Sequence, residues 1–180
     1  MLLLVDNGSV FTENIVKFLV SSKTDHMIRT FEQINLDELK KFDSVILSGR
    51  RHNDQTMNAL NSKIVNHCVS EKKPLLGICY GAEILALTLG GTIRKMSSLQ
   101  KGTSTVQITQ NNPLCSGIMQ VYQSHSYEIS QLGKSLVQLA SSDSCKNEII
   151  QYQNSKIYGT QFHPEMTNDG LALIERFINI

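Results

Sequence analysis

The stretch from Pro74 to Gly91 constrains this chain more than any other. Pro74-Leu75-Leu76-Gly77-Ile78 is a short apolar run opened by proline, and it reads as a buried strand. Ala82 to Leu89 reads as a helix, stopped by Gly90-Gly91. Cys79 falls at the corner between them, framed by Gly77 and Gly81. Such a corner pushes its central side chain out of the sheet, and the flanking glycines remove the Cβ atoms that would block the turn. It also places the thiol at a helix N-terminus, where free N–H groups and the helix dipole favour the thiolate.

The segment before it alternates in the same way. Leu2–Asp6, His26–Phe31 and Asp43–Ser48 read as strands. A helix over Thr12–Ser21 puts Ile15, Phe18 and Leu19 on one face. A short helical piece follows around Leu36–Lys40. A second long helix, capped by Asn53 or Asp54, carries Met57, Leu60, Ile64 and Val65 at helical spacing. Strand-helix alternation argues for a mainly parallel open sheet with helices on both faces, an α/β, flavodoxin-like three-layer arrangement. The second half is strand-rich, with candidates at Thr92–Lys95, Thr103–Thr109, Gln120–Ser124, Leu136–Ser141, Glu148–Gln153 and Lys156–Phe162. A last helix spans about Asp169–Asn179. At 180 residues, 1–180 is expected to form one domain.

Composition excludes several classes. The net charge of +1 is mixed along the chain, so no basic stripe points to nucleic acid. No apolar run approaches the ~20 residues of a membrane helix. The apolar start, Met1 to Val5, is too short for a signal peptide and lacks a basic flank. The four cysteines form no C-x-x-C pair, which fits a reduced, cytoplasmic setting and argues against a zinc site. Nothing calls for a cofactor.

A second segment answers Cys79. Lys156–Phe162 reads as a strand, and Gln161-Phe162-His163-Pro164-Glu165 closes it. Period-two alternation puts His163 and Glu165 on one face, where the carboxylate can hold the imidazole tautomer while the imidazole exchanges a proton with Cys79. A lone cysteine after an apolar strand is usually an inert core thiol. The conjunction of a glycine-framed corner, the right flanking elements and His-x-Glu makes Cys79, His163 and Glu165 candidates for a nucleophilic triad.

At these residues the chain resembles the class I, triad-type glutamine amidotransferases. Gly77-Ile78-Cys79-Tyr80-Gly81 and Gln161-Phe162-His163-Pro164-Glu165 carry the likeness, which runs over nearly the whole chain. The resemblance implies that Cys79 attacks the side-chain amide of L-glutamine, forms a glutamyl thioester and releases ammonia to a synthase. The chain ends at this domain, so it implies a separate synthase subunit. Thioester chemistry needs an oxyanion hole, for which the Tyr80 N–H and Gly49 are the candidates. Two features depart from the family pattern. Gly49 is followed by Arg50-Arg51-His52 rather than further glycines, and that loop is expected either to have a different shape or to order only against a partner. Glu83 stands where glutamine is usual, one helical turn past Cys79, and is a candidate for the substrate's α-ammonium group. By the same likeness His125, Ser126 and Tyr127 are substrate-binding candidates.

Ser124-His125, followed by Glu128, and Gly8-Ser9 with Thr12 are similar to GMP synthase subunits and slightly favour that branch, while Ser126 is similar to the chorismate-using branch. Asp6-Asn7 with Phe11-Thr12 and Asn14 is similar to anthranilate and aminodeoxychorismate synthase subunits. Two alternatives stay open: an amidotransferase-fold binding or regulatory subunit with little turnover, and a thiol hydrolase acting on γ-glutamyl compounds.

Overall fold

The computed structural model describes all residues, 1–180. Nine strands form one sheet in the order β2-β1-β3-β4-β9-β8-β7-β5-β6. The first five in that order, β2 (His26–Thr30), β1 (Leu2–Asn7), β3 (Ser44–Arg50), β4 (Leu75–Ile78) and β9 (Ile157–Thr160), run parallel. From β9 onward the ladder turns antiparallel through β8 (Ile149–Tyr152), β7 (Leu136–Ser141), β5 (Thr92–Ile108) and β6 (Ile118–Gln131). The sheet is therefore mixed, parallel where the strand-helix units lie and antiparallel in the strand-rich half.

Four helices cover it: α1 (Thr12–Ser21), α2 (Gln55–Ser70), α3 (Tyr80–Thr88) and α4 (Asn168–Ile178). Alternation along β1 shows why its residues are all apolar. Leu2 and Leu4 pack with Ile15 and Leu19 of α1 and Leu173, Ile174 and Phe177 of α4. Leu3 and Val5 pack on the opposite face with Met57, Ile64 and Val65 of α2 and Leu85 of α3. A strand buried on both faces cannot alternate with polar residues. Helix α2 begins at Asp54, whose carboxylate accepts the Met57 N–H at 2.8 Å.

Three expectations change. β5 is one continuous strand, with a register shift between Lys95 and Gln100 where two strands were expected. β6 continues through Ser124–Tyr127 to Gln131. β5 is rich in Ser, Thr, Gln and Lys and β6 in Ser and Gln, and the two pair mainly with each other, so neither carries a strong apolar signal. Finally, β9 stops at Thr160, and His163 and Glu165 lie beyond it, at and just inside a short 3₁₀ turn (Pro164–Met166). Their shared face comes from that turn, with Pro164 at its first position, and not from strand alternation.

Candidate active site

The corner after β4 is as tight as its glycines suggest. A Cβ on Gly77 would lie 2.5 Å from the carbonyl group of Gly81, and one on Gly81 would lie 2.4 Å from the Leu47 carbonyl oxygen. Neither position tolerates a side chain without the backbone moving. Cys79 itself takes the left-handed conformation, φ 50° and ψ −102°, and α3 starts at the next residue. This strain is held in place, because the Cys79 N–H donates to the Thr160 carbonyl of β9 at 2.7 Å. Cys79 is 8% exposed, so its side chain meets solvent only through the cleft above it.

That cleft, of about 290 Å³, is walled by Arg50, Arg51 and Asn53 on one side and by Ser124, His125, Ser126 and Tyr127 of β6 on the other. Cys79, Tyr80 and Glu83 form its floor. It lies at the carboxyl ends of β3 and β4, where open α/β sheets place their ligands. The candidates Cys79, Tyr80, Glu83, His125, Ser126 and Tyr127 are thus brought together. Gly49 is not on the cleft wall. It is the penultimate residue of β3, and a Cβ there would lie 3.0 Å from His163 Cε1 and 3.3 Å from Ser9 Oγ. Its bareness lets the imidazole pack against the strand end.

The segment after Gly49 is braced rather than loose. The Arg50 guanidinium stacks 4.3 Å over the Tyr80 ring and donates to Asn58 at 3.1 Å, and Asn58 also accepts the Tyr80 hydroxyl at 2.9 Å. One arginine, at the end of β3, thus ties β3, α2 and α3 together, while Arg51 and His52 beyond it are exposed.

His163 is fixed on three sides. Its Nδ1 lies 2.9 Å from Glu165 Oε1, its backbone N–H donates to the Tyr122 carbonyl, and its ring meets Phe11 edge-on, centroids 4.6 Å apart. Both side chains of the His163–Glu165 pair are buried. No hydrogen bond joins the imidazole to Cys79 Sγ. Phe11, in the loop after β1, was not among the site candidates read from the sequence.

Electrostatics reverse one expectation. The Cys79 thiol is pushed well above its ordinary value of 9.0, first by burial and then by the Glu83 and Glu165 carboxylates. The Tyr80 N–H and Arg50 pull the other way without prevailing. The helix N-terminus therefore does not make a resting thiolate, because desolvation outweighs it. Glu83 is buried and its carboxyl is also pushed up by burial, with Arg50 the main opposing influence. Gln161 Nε2 donates to it at 3.4 Å while Gln161 Oε1 takes the Ile129 N–H. Glu83 thus faces both the cleft and a structural partner.

The four cysteines are unpaired, and no group of three or more His, Cys, Asp or Glu side chains is placed to hold a metal ion. No helix is long and apolar enough to cross a membrane.

The family description glutamine amidotransferase class-I matches residues 3–179. GMP synthase [glutamine-hydrolyzing] of Yersinia pestis is 28% identical over 156 residues, covering 78% of this chain and 29% of that protein. The chain thus spans less than a third of the length of such relatives. Among solved structures, a candidate GMP synthase subunit of Thermoplasma acidophilum superposes with a TM-score of 0.88 at 27% identity, covering 99% of this chain and 92% of that one. A glutamine amidotransferase of Thermotoga maritima shares the fold, with a TM-score of 0.78 at 18% identity, covering 99% and 80%. With its glycine-framed corner, its cleft and a family match over nearly its full length, the chain belongs to the class-I glutamine amidotransferases.

Proposed function

We propose that the chain hydrolyses L-glutamine to glutamate and ammonia through a thioester on Cys79. The observation that carries this is the strained Cys79 corner opening onto a cleft lined by charged and polar side chains, with the hydrogen-bonded His163–Glu165 pair just beyond the adjacent strand β9. In this reading Cys79 Sγ attacks the side-chain amide carbon, and His163 takes the thiol proton and returns it to the departing ammonia. Water then attacks the thioester, His163 accepts its proton, and glutamate leaves with the thiol restored. The Tyr80 N–H is the first oxyanion donor, and Gly49, on the His163 side of the site, is the second. Glu165 holds the imidazole tautomer.

The ammonia is proposed to pass to a separate synthase subunit. The near-complete overlap with the Thermoplasma acidophilum protein supports that arrangement, and the GMP synthase relatives favour GMP synthase over a chorismate-using partner. The separation of Cys79 Sγ from hydrogen bonding with His163, and the raised thiol, favour low activity in the isolated chain. Closing that contact is a task for substrate and partner. The test is glutamate and ammonia release by the purified chain, alone and with the synthase and its acceptor. Turnover is expected to rise by on the order of tenfold or more on assembly. No glutamate under either condition would favour a binding or regulatory subunit. Release from γ-glutamyl peptides in preference to glutamine would favour a thiol hydrolase.

Glu83 gives a second measurement. If it meets the substrate α-ammonium, that contact is equal in ground and transition states and acts on KM. Glu83→Gln is expected to change KM for glutamine by about tenfold to a hundredfold, the worth of a charged hydrogen bond, with a smaller change in kcat. A KM unchanged in both Glu83→Gln and Glu83→Ala would assign the residue to Gln161 alone.

A further inference from the structure

His125 walls the cleft, yet neither ring nitrogen is free to face it. Nδ1 lies 2.7 Å from the Tyr127 carbonyl oxygen, and Nε2 lies 2.9 Å from Gln123 Oε1. A carbonyl oxygen can only accept, while a neutral imidazole carries one donor and one acceptor. The other end of Gln123 is equally committed. Its Nε2 donates to Glu148 Oε1 at 2.8 Å, and the same oxygen accepts the Ser142 hydroxyl at 2.6 Å. Gln123 and Glu148 are buried, and neither stands out in the sequence.

Three proton arrangements satisfy all four contacts. In the first, His125 is an imidazolium donating to Tyr127 and Gln123, and Glu148 is a carboxylate. In the second, His125 is again an imidazolium and Glu148 carries a proton on Oε2, which is buried without a hydrogen-bond partner. In the third, His125 is neutral, the Gln123 amide is turned over and Glu148 carries the proton on Oε1. A neutral His125 beside an ionised Glu148 fits neither orientation of the amide. The two residues are therefore one titrating unit joined by Gln123. The amide as placed, with Oε1 toward the ring and Nε2 toward Glu148, matches an imidazolium, and the contact lengths of 2.6 Å for the serine hydroxyl and 2.7–2.8 Å for the two nitrogen donors are compatible with it.

We propose that Gln123 and Glu148 hold His125 as an imidazolium in the wall of the cleft, and that this charge selects the α-carboxylate of the substrate. The recognition half rests on the glutamine reading above. With Glu83 on the floor, the cleft then offers an anion and, on its β6 side, a cation facing the wall that carries Arg50 and Arg51, so both charged groups of an α-amino acid can be met. The cation acts through its field, since both N–H groups are used. Gln123 and Glu148 are positioning residues that work through His125.

Other charges bear on the pair. Burial opposes it, pushing His125 down and Glu148 up. The Tyr127 carbonyl supports the imidazolium, and the Ser142 and Gln123 donors support the carboxylate. Glu128, paired with Arg94 on β5, favours the His125 charge and disfavours that of Glu148. His163, when protonated, opposes the His125 charge. The Cys145 thiol is pushed up by burial and Glu148 and stays neutral. Glu83 and Arg50 face the same cleft from α3 and β3.

The test is ¹⁵N NMR of protein labelled at the histidine rings, with His125 assigned by its loss in His125→Asn. At pH 7.5 the wild-type ring is expected to carry protons on both nitrogens, and Glu148→Gln to convert it to a single neutral tautomer. KM for glutamine is expected to rise about tenfold in Glu148→Gln, with kcat little changed. The wild-type KM should rise with pH as the ring loses its proton, and the variant should lose that dependence. A neutral His125 in the wild-type protein overturns the proposal whether or not the variants fold. An unchanged KM in a variant whose His125 has become neutral overturns the recognition role. An imidazolium in a protein that does not turn over glutamine leaves the proton pair standing and removes the glutamine reading instead.

Discussion

Cys79→Ala and Cys79→Ser will abolish glutamine hydrolysis, by a factor on the order of 10⁴ or more, as loss of a nucleophile does. The same substitutions at Cys68, Cys115 and Cys145 will not. The four thiols cannot be told apart by acidity. Burial pushes Cys68 up to about 12 and Cys115 up to about 11, and Cys79 also stands well above 9.0. What separates Cys79 is place: it alone sits on the floor of the cleft, at a strained corner. Two reagents should therefore behave differently. Iodoacetamide, which has no way to recruit the imidazole, will alkylate Cys79 slowly at pH 7. Its rate will climb about tenfold per pH unit, because each unit below the thiol pKa removes about nine-tenths of the remaining thiolate. A covalent glutamine analogue seated in the cleft will label Cys79 alone, and quickly. Labelling of another cysteine with Cys79 untouched would sink the assignment. Rapid alkylation at pH 7 would show that the thiolate already exists at rest and that the carboxylates and burial around it do not prevail.

Much of the scaffold was legible because both faces of the parallel strands are covered. Leu2–Val5, Val45–Leu47 and Leu75–Leu76 must be apolar throughout, and such runs stand out in a sequence. The corner was legible for a steric reason, since Gly77 and Gly81 leave no room for Cβ atoms. The long β5–β6 ribbon was harder to read. Its strands are stabilised chiefly by pairing with each other along a twelve-residue register, so their side chains stay polar and the period-two signal is weak. The position of Gly49 follows from tertiary packing: it touches His163, which lies far along the chain. Gln123 and Glu148 were invisible for the same reason, because a buried amide bridging two titratable groups leaves no periodic trace. The acidity of Cys79 was misjudged from local structure alone. A helix N-terminus is a local feature, and so is the opposing Glu83 carboxylate one turn along, whereas the burial that leads and the Glu165 carboxylate that adds to it come from other parts of the fold.

His163→Ala will reduce glutamine turnover by about 10³-fold or more, and Glu165→Gln by less, roughly ten- to a hundredfold. The raised Cys79 thiol makes the first effect large. A thiol that is protonated at rest needs a base to become a nucleophile, and the leaving ammonia needs the same proton back. Without His163 neither transfer has a local partner, so adding His163→Ala to Cys79→Ser should cost nothing further. Glu165 acts one step away. Its Oε1 accepts from His163 Nδ1 at 2.9 Å, which in the proposed mechanism leaves Nε2 to exchange the proton. A glutamine at 165 can still present a carbonyl oxygen to Nδ1, so the tautomer survives while stabilisation of the imidazolium is lost. Glu165 Oε2 is buried without a hydrogen-bond partner, and an amide there places its NH₂ in the same setting, at a stability cost of about 1–3 kcal/mol. Thermal melts must therefore accompany the kinetics, with rates compared well below each variant's midpoint. Turnover by His163→Ala within tenfold of wild type would remove the imidazole from the proton path. A larger loss in Glu165→Gln than in His163→Ala, on folded protein, would make the carboxylate itself the acting base.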